Sequence, residues 1–170
     1  VLKFLVVSTH YRSLLEFSDK QIENSIAGLA RIYSGLALSL DLLQQFEKTG
    51  SGHGKVSVVH QKLKSDFNAN VEIAMNDDFN SPLALGEVFS LIRSINQQFK
   101  RGQKITPDQA AGLKLLVDDI HEFGKIFSLF QKSPGEFLVQ LDDFLLKELN
   151  LERSVIDQKV AERSAARKNK

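Results

Sequence analysis

The sequence predicts an all-α fold, an antiparallel helical bundle. Three observations carry that expectation. Apolar residues recur at three- and four-residue steps through most of the chain, and helix caps and breakers fall at the ends of those runs. No alternating pattern of the kind that builds a half-buried strand competes beyond the first seven residues.

Between residues 20 and 48, Ile22, Ile26, Leu29, Tyr33, Leu36, Leu40, Leu43 and Phe46 line one face of a long helix. That run stops before Gly50-Ser51-Gly52-His53-Gly54, whose glycines favour a flexible, exposed connection. A second helix carries Val59, Leu63, Phe67 and Val71 and ends near Met75-Asn76-Asp77-Asp78-Phe79-Asn80. A third starts at Ser81-Pro82, where serine can satisfy free backbone N–H groups and proline suits the first helical position. Its apolar stripe is Leu85, Val88, Phe89, Ile92, Ile95 and Phe99, and Arg101-Gly102 ends it. Thr106-Pro107-Asp108-Gln109 has the threonine, first-position proline and third-position glutamine of a capping box. It opens a fourth helix through Leu113, Leu116, Val117, Ile120, Phe123, Phe127 and Phe130. Ser133-Pro134-Gly135 breaks the chain before a shorter amphipathic piece with Phe137, Leu141, Phe144 and Leu145, and a last helix covers residues 152–167. Short connections of this kind place sequential helices side by side. The phenylalanines at positions 67, 89, 99, 123, 127 and 130 keep helical spacing, which assigns them to the core rather than to base stacking.

A length of 170 residues suits one domain, and 42% hydrophobic with 25% charged residues is the balance of a chain that folds. There are no cysteines, which excludes a disulfide framework, a thiolate metal cage and a cysteine nucleophile, and fits a reducing cytoplasm. The chain opens on Val1 and its one methionine is Met75, so it reads as a piece of a longer protein. Residues 1–7 are apolar but interrupted by Lys3 and too short to span a bilayer, so neither an export signal nor a membrane anchor is expected. The formal net charge of +1 argues against a globally basic nucleic-acid binder, but the charge is segregated. Acids outnumber bases eight to three across residues 118–152, whereas the last eight residues hold Arg163, Arg167, Lys168 and Lys170 and no acid.

Catalytic constellations are missing from the sequence. A phosphate-cradling loop ending in Gly54-Lys55 needs glycine and a hydroxyl residue where Thr49 and Val56 stand. His53 and His60 lack the spacing of a helical zinc site. The pairs Asp77-Asp78, Asp118-Asp119 and Asp142-Asp143 diverge by about 100° on a helix and read as solvated faces and caps. No catalytic or metal-ligating residue is therefore assigned.

Three stretches, in order, resemble cysteinyl-tRNA synthetases of class I. Residues 1–13, ending His10-Tyr11-Arg12-Ser13 and followed by Phe17-Ser18, are similar to the family segment just after its ATP loop. Residues 74–82, Ala74 through Asn76-Asp77-Asp78-Phe79-Asn80 to Pro82, resemble the family's junction between two helices of its tRNA-binding bundle. Residues 161–168, with Arg163, Arg167 and Lys168, look like the helix entering its small anticodon-reading module. Leu14 stands where the family has proline, Asn76 where it has aspartate, and Lys159 where it has an apolar residue.

The resemblance implies a bundle of the class I synthetase anticodon-binding type within an enzyme that attaches cysteine to its tRNA using ATP. It divides the chain into a connector from the catalytic domain over 1–18, the bundle over 19–148 and a terminal helix over 149–170. ATP and zinc would belong to the catalytic domain, with no cofactor on this region and no catalytic activity of its own. The implied partners are tRNA for cysteine and the protein's own catalytic domain, in the cytoplasm and without a membrane. His10, Tyr11, Arg12, Arg163, Arg167 and Lys168 are the candidate tRNA contacts. Arginine grips phosphate and an aromatic ring stacks on sugar or base. Packing of the junction explains His10 and Tyr11 as well, and the helix dipole favours cations at a C-terminus without any ligand. Two alternatives stay open: the equivalent region of a cysteine:amino-sugar ligase, and a noncatalytic helical adaptor with an apolar groove.

Overall fold

A computed structural model describes residues 1–49 and 52–168, apart from the side chain of Lys168. Gly50 and Ser51, the middle of the expected glycine-rich connection, lie outside the described residues. Two compact units emerge, Val1–Pro134 and Gly135–Lys170. The described residues contain helices and no strand.

The first unit holds α1 (Leu2–Val7), α2 (Asp19–Lys48), α3 (Val58–Asn76), α4 (Ser81–Gln98) and α5 (Pro107–Phe127). Residues 1–7, where the sequence left room for a strand, are helical because α1 needs only one face buried. Phe4 and Leu5 go inward, and the Phe4 ring meets Phe89 edge-on at 6.3 Å.

α2 to α5 run in alternating directions, as expected of an antiparallel bundle. Yet α2 packs on α4 and α5, α3 packs on α4 and α5, and the sequential pair α2 and α3 sit diagonally rather than side by side. Nine residues separate α2 from α3, and a chain of that length can reach about 30 Å, so the two helices need not be neighbours.

The buried faces are also rotated from the expected stripes. On α2 the inward residues are Leu29, Ile32, Tyr33, Leu36 and Leu42, together with the small residues Ser25, Gly35 and Ser39; Leu40, Leu43 and Phe46 are only half-buried. A Cβ on Gly35 would stand 2.9 Å from Ile92, so the smallest side chains mark where α2 and α4 come closest. The Ser25 and Ser39 hydroxyls donate to carbonyls one turn back, which makes their burial tolerable. By length and composition alone α2 is long and apolar enough to cross a bilayer, but its central leucines and Ile32 are buried against neighbouring helices.

On α3, Val59 is exposed and His60 takes the inward position with Phe67 and Ala74. Gly112 on α5 makes the space: a Cβ there would collide with the imidazole. The described end of the glycine-rich connection is held, because Gly54 lies against the Pro107 backbone with no room for a side chain and the Lys55 N–H donates to Asp108 at 2.8 Å. Phe67, Phe99, Phe123 and Phe130 are buried, while Phe89 and Phe127 are half-buried. Asp119 departs from the solvated reading: it is buried and ion-paired with Lys64, tying α3 to α5.

α5 begins with the expected capping box, Gln109 N–H donating to Thr106 Oγ1 and the Gln109 side chain accepting from Thr106 N–H. It ends where Ser128 turns left-handed at φ 51 and the Leu129 N–H reaches back to Gly124 at 2.7 Å.

The second unit contains the body of α6 (Pro134–Glu148) and α7 (Arg153–Lys168). Asn150 at φ 52 closes α6, with Leu151 N–H donating to Leu146 and Asn150 N–H to Lys147. Arg153 opens α7 and grips Asp143 through two nitrogens, at 2.9 and 2.7 Å, also donating to the Val139 carbonyl.

Candidate nucleic-acid interface

Two of the three sequence stretches meet in space. After α1, the chain turns at residues 10–13, with Ser13 N–H donating to His10 carbonyl at 2.8 Å and Arg12 N–H to His10 Nδ1 at 3.3 Å. The His10 and Tyr11 rings stack at 5.0 Å, and the Arg12 guanidinium lies 5.4 Å from the Tyr11 ring centre. This small stack faces the α3–α4 junction, where Asp78 receives both neighbours. Tyr11 hydroxyl donates to Asp78 Oδ1 at 2.7 Å, and Arg12 Nη1 lies 2.9 Å from Asp78 Oδ2. Hydrogen bonding to the carboxylate raises the Tyr11 pKa above the usual phenol value, so the hydroxyl stays a donor.

The junction has an unusual backbone. Asp78 and Phe79 both take positive φ, 53 and 54°, a region that side chains with a Cβ rarely enter. Asn80, not Ser81, is the cap of α4, its Oδ1 accepting from Leu83 N–H at 3.2 Å. The Ser81 hydroxyl instead donates to Val7 carbonyl at 2.9 Å, a second tie between α1 and the junction. Phe79, at positive φ, is 67% exposed.

The sequence reading missed Asp78 as the acceptor for Tyr11 and Arg12. The Asp77-Asp78 pair was visible, but the partners of Asp78 lie 66 and 67 residues earlier in the chain and only the fold unites them. Arg12 remains 69% exposed, so its guanidinium still faces solvent while paired. His10, Tyr11 and Arg12 thus form one surface cluster with Asp78.

The other candidates sit on α7, within the second unit. Arg163 and Arg167 are exposed and make no ion pair among the described residues, while the side chain of Lys168 lies outside them. Neighbouring Glu162 accepts from Gln158 at 3.0 Å rather than pairing with Arg163.

A family model described as a DALR domain matches residues 70–131, from the last turns of α3 through the junction, α4 and α5 to the turn at Phe130. The cysteine–tRNA ligase of Bdellovibrio bacteriovorus is 37% identical over 167 residues, covering 98% of this chain and 33% of that protein. Over nearly its whole length the chain is similar to this part of a cysteine–tRNA ligase. Two further cysteine–tRNA ligases agree. That of Geobacter sulfurreducens is 34% identical over 99% of the chain and 34% of its own length, and that of Geobacter metallireducens is 34% identical over 100% and 34%. The chain spans about a third of the length of the curated relatives it matches.

The zinc implied by the resemblance to cysteine–tRNA ligases does not fit this region. No group of three His, Cys, Asp or Glu among the described residues could hold a metal ion, and the sequence has no cysteine.

Proposed function

We propose that this chain is the tRNA-docking helical region of an enzyme that attaches cysteine to its tRNA using ATP. The observation that carries the reading is end-to-end similarity to cysteine–tRNA ligases, with the DALR match centred on α4 and α5. In this reading residues 1–18 connect to a catalytic domain, residues 19–148 are the docking bundle and residues 149–170 lead toward an anticodon-reading module. ATP and zinc act in the catalytic domain, and the whole enzyme works in the cytoplasm.

The bundle's task is positional. Phosphate and sugar contacts set register and orientation, while base edges specify sequence. A rigid element that holds both ends of the tRNA lowers the entropic cost of bringing the acceptor hydroxyl to the activated amino acid. The Asp78 cluster supports this role, since Tyr11 and Arg12 fasten the connector to the α3–α4 junction and transmit its orientation to the bundle. Arg12 on its exposed side, with Arg163, Arg167 and Lys168, would meet the tRNA backbone.

The test separates docking from chemistry. In the full-length enzyme, loss of this region should leave cysteine activation by ATP intact and raise the tRNA concentration needed for charging. Activation of cysteine by the intact enzyme with no transfer to tRNA would oppose the reading and favour an amino-sugar acceptor.

A further inference from the structure

We infer that the end of the bundle where α2 and α4 finish and α3 and α5 begin is an RNA-phosphate-binding surface built on Lys48, Lys55, Lys100, Arg101 and Lys104. The inference rests on the tRNA-docking reading and names where on the first unit the backbone would be gripped.

These five cations are far apart in sequence and share one end of the fold. Lys48 and Lys104 line the same groove of about 460 Å³, together with Gln45, Thr49 and Gln103. Lys55 is pinned beside the start of α5 by its N–H bond to Asp108. Lys100 and Arg101 belong to a tight turn closed by Gln103 N–H to Lys100 carbonyl at 3.1 Å and by Lys100 N–H to Gln103 Oε1 at 2.9 Å. Gly102 supplies the positive φ of 73° that such a turn needs, leaving Arg101 at its corner. The turn is anchored from below by Phe99, which is fully buried.

All five side chains are exposed, and none forms a carboxylate ion pair among the described residues. Lysines 62, 64, 114 and 125 elsewhere on the bundle are all paired. The acids at this end are Glu47 and Asp108, and Asp108 already accepts the Lys55 amide. At the opposite end of the bundle lie Asp77 and Asp78, so a chain of net charge +1 still presents a cationic end.

Helix dipoles account for only part of the cluster. Lys48 and Lys100 sit at the C-terminal ends of α2 and α4, where cations are favoured without a ligand. Lys55 and Lys104 stand just ahead of the N-termini of α3 and α5, where the dipole disfavours them. Their placement beside an arginine at a rigid corner is what a repeating anionic backbone would use, since guanidinium and ammonium groups at successive points neutralise successive phosphates.

The experiment titrates fluorescein-labelled, unfractionated tRNA with the intact chain between about 50 and 200 mM salt, the range where phosphate contacts dominate affinity. The pair Arg101→Glu and Lys104→Glu should weaken binding about tenfold or more and lower the salt-dependence slope by about 1.5 to 2. Lys20→Glu with Lys125→Glu, exposed positions at the start of α2 and near the end of α5 and so at the opposite pole, changes net charge equally and should stay within about threefold of the unsubstituted chain. If the reversal perturbs the turn, seen as lost helical circular dichroism, Arg101→Gln with Lys104→Gln should give a smaller loss in the same direction. Losses no greater than those of the control pair would overturn the inference and leave docking to other residues. Absence of any binding by the unsubstituted chain at about 50 mM salt would overturn the docking reading along with it.

Discussion

Single side chains decide how α3 registers against α5. The Asp119 carboxylate is 7% exposed, is paired through Oδ1 with Lys64, and accepts no protein hydrogen bond at Oδ2. Removing the cation alone would strand a buried charge, although the partly exposed Lys64 position lets some water in. Lys64→Met should therefore cost about 1–3 kcal/mol in urea unfolding, and adding Asp119→Asn should recover much of that loss. Strictly additive effects would count against the pair. Nearby, His60 sits in the space left by Gly112, with Ser57 Oγ 2.8 Å from Nδ1 and Phe99 stacked at 6.3 Å. Burial pushes its pKa below the ordinary imidazole value of 6.5, offset in part by the Gln98 side chain. The unfolded chain then binds the proton more readily, so stability is fully present above about pH 6.5 and is lost as pH falls through the window down to the depressed folded value. Thermal unfolding from pH 7.5 to 5 should show that decline in Tm, and His60→Gln should flatten it. None of this was legible in the sequence, where His60 was weighed only as a metal ligand with His53. The space that buries it is created by a glycine 52 residues away.

At the scale of elements, what is local was legible and what is relational was not. The capping box at Thr106 needs only four consecutive residues, and it stands as read. Thr106→Ala should lower stability by about 1 kcal/mol, since it removes the Oγ1 acceptor of the Gln109 N–H while the backbone N–H that donates to the Gln109 side chain remains, and a denaturant midpoint unchanged from the unsubstituted chain would refute that. The last helix, Arg153–Lys168, lies within one residue of its expected bounds because its charged face and polar flanks are written locally. The long α2 was found as well, but its buried face was misplaced. Apolar periodicity marks the wide stripe of a helix, whereas Gly35 and Ser39 mark the narrow line where α4 approaches. Residues 1–7 were ambiguous for the same reason: six helical residues are too few for a period of 3.6 to declare itself. Of the candidate site, the residue types were readable and the partner of Tyr11 and Arg12 was not.

For the whole molecule, chain connectivity and helix packing differ. The diagonal placement of α2 and α3 gathers the starts of α3 and α5 and the ends of α2 and α4 at one pole, and the junction with Asp77 and Asp78 at the other. One pole is tied to the connector through Asp78, and the other carries five cations that form no carboxylate ion pair among the described residues. In the proposed reading, the first pole would face the catalytic domain and the second the RNA backbone. The most direct measurement compares two activities of the full-length enzyme with and without this region: cysteine-dependent ATP–pyrophosphate exchange, and transfer of cysteine to tRNA. Docking by this region predicts that exchange persists on deletion while the tRNA concentration for half-maximal charging rises about tenfold or more. Charging that survives deletion with an unchanged tRNA requirement would contradict it.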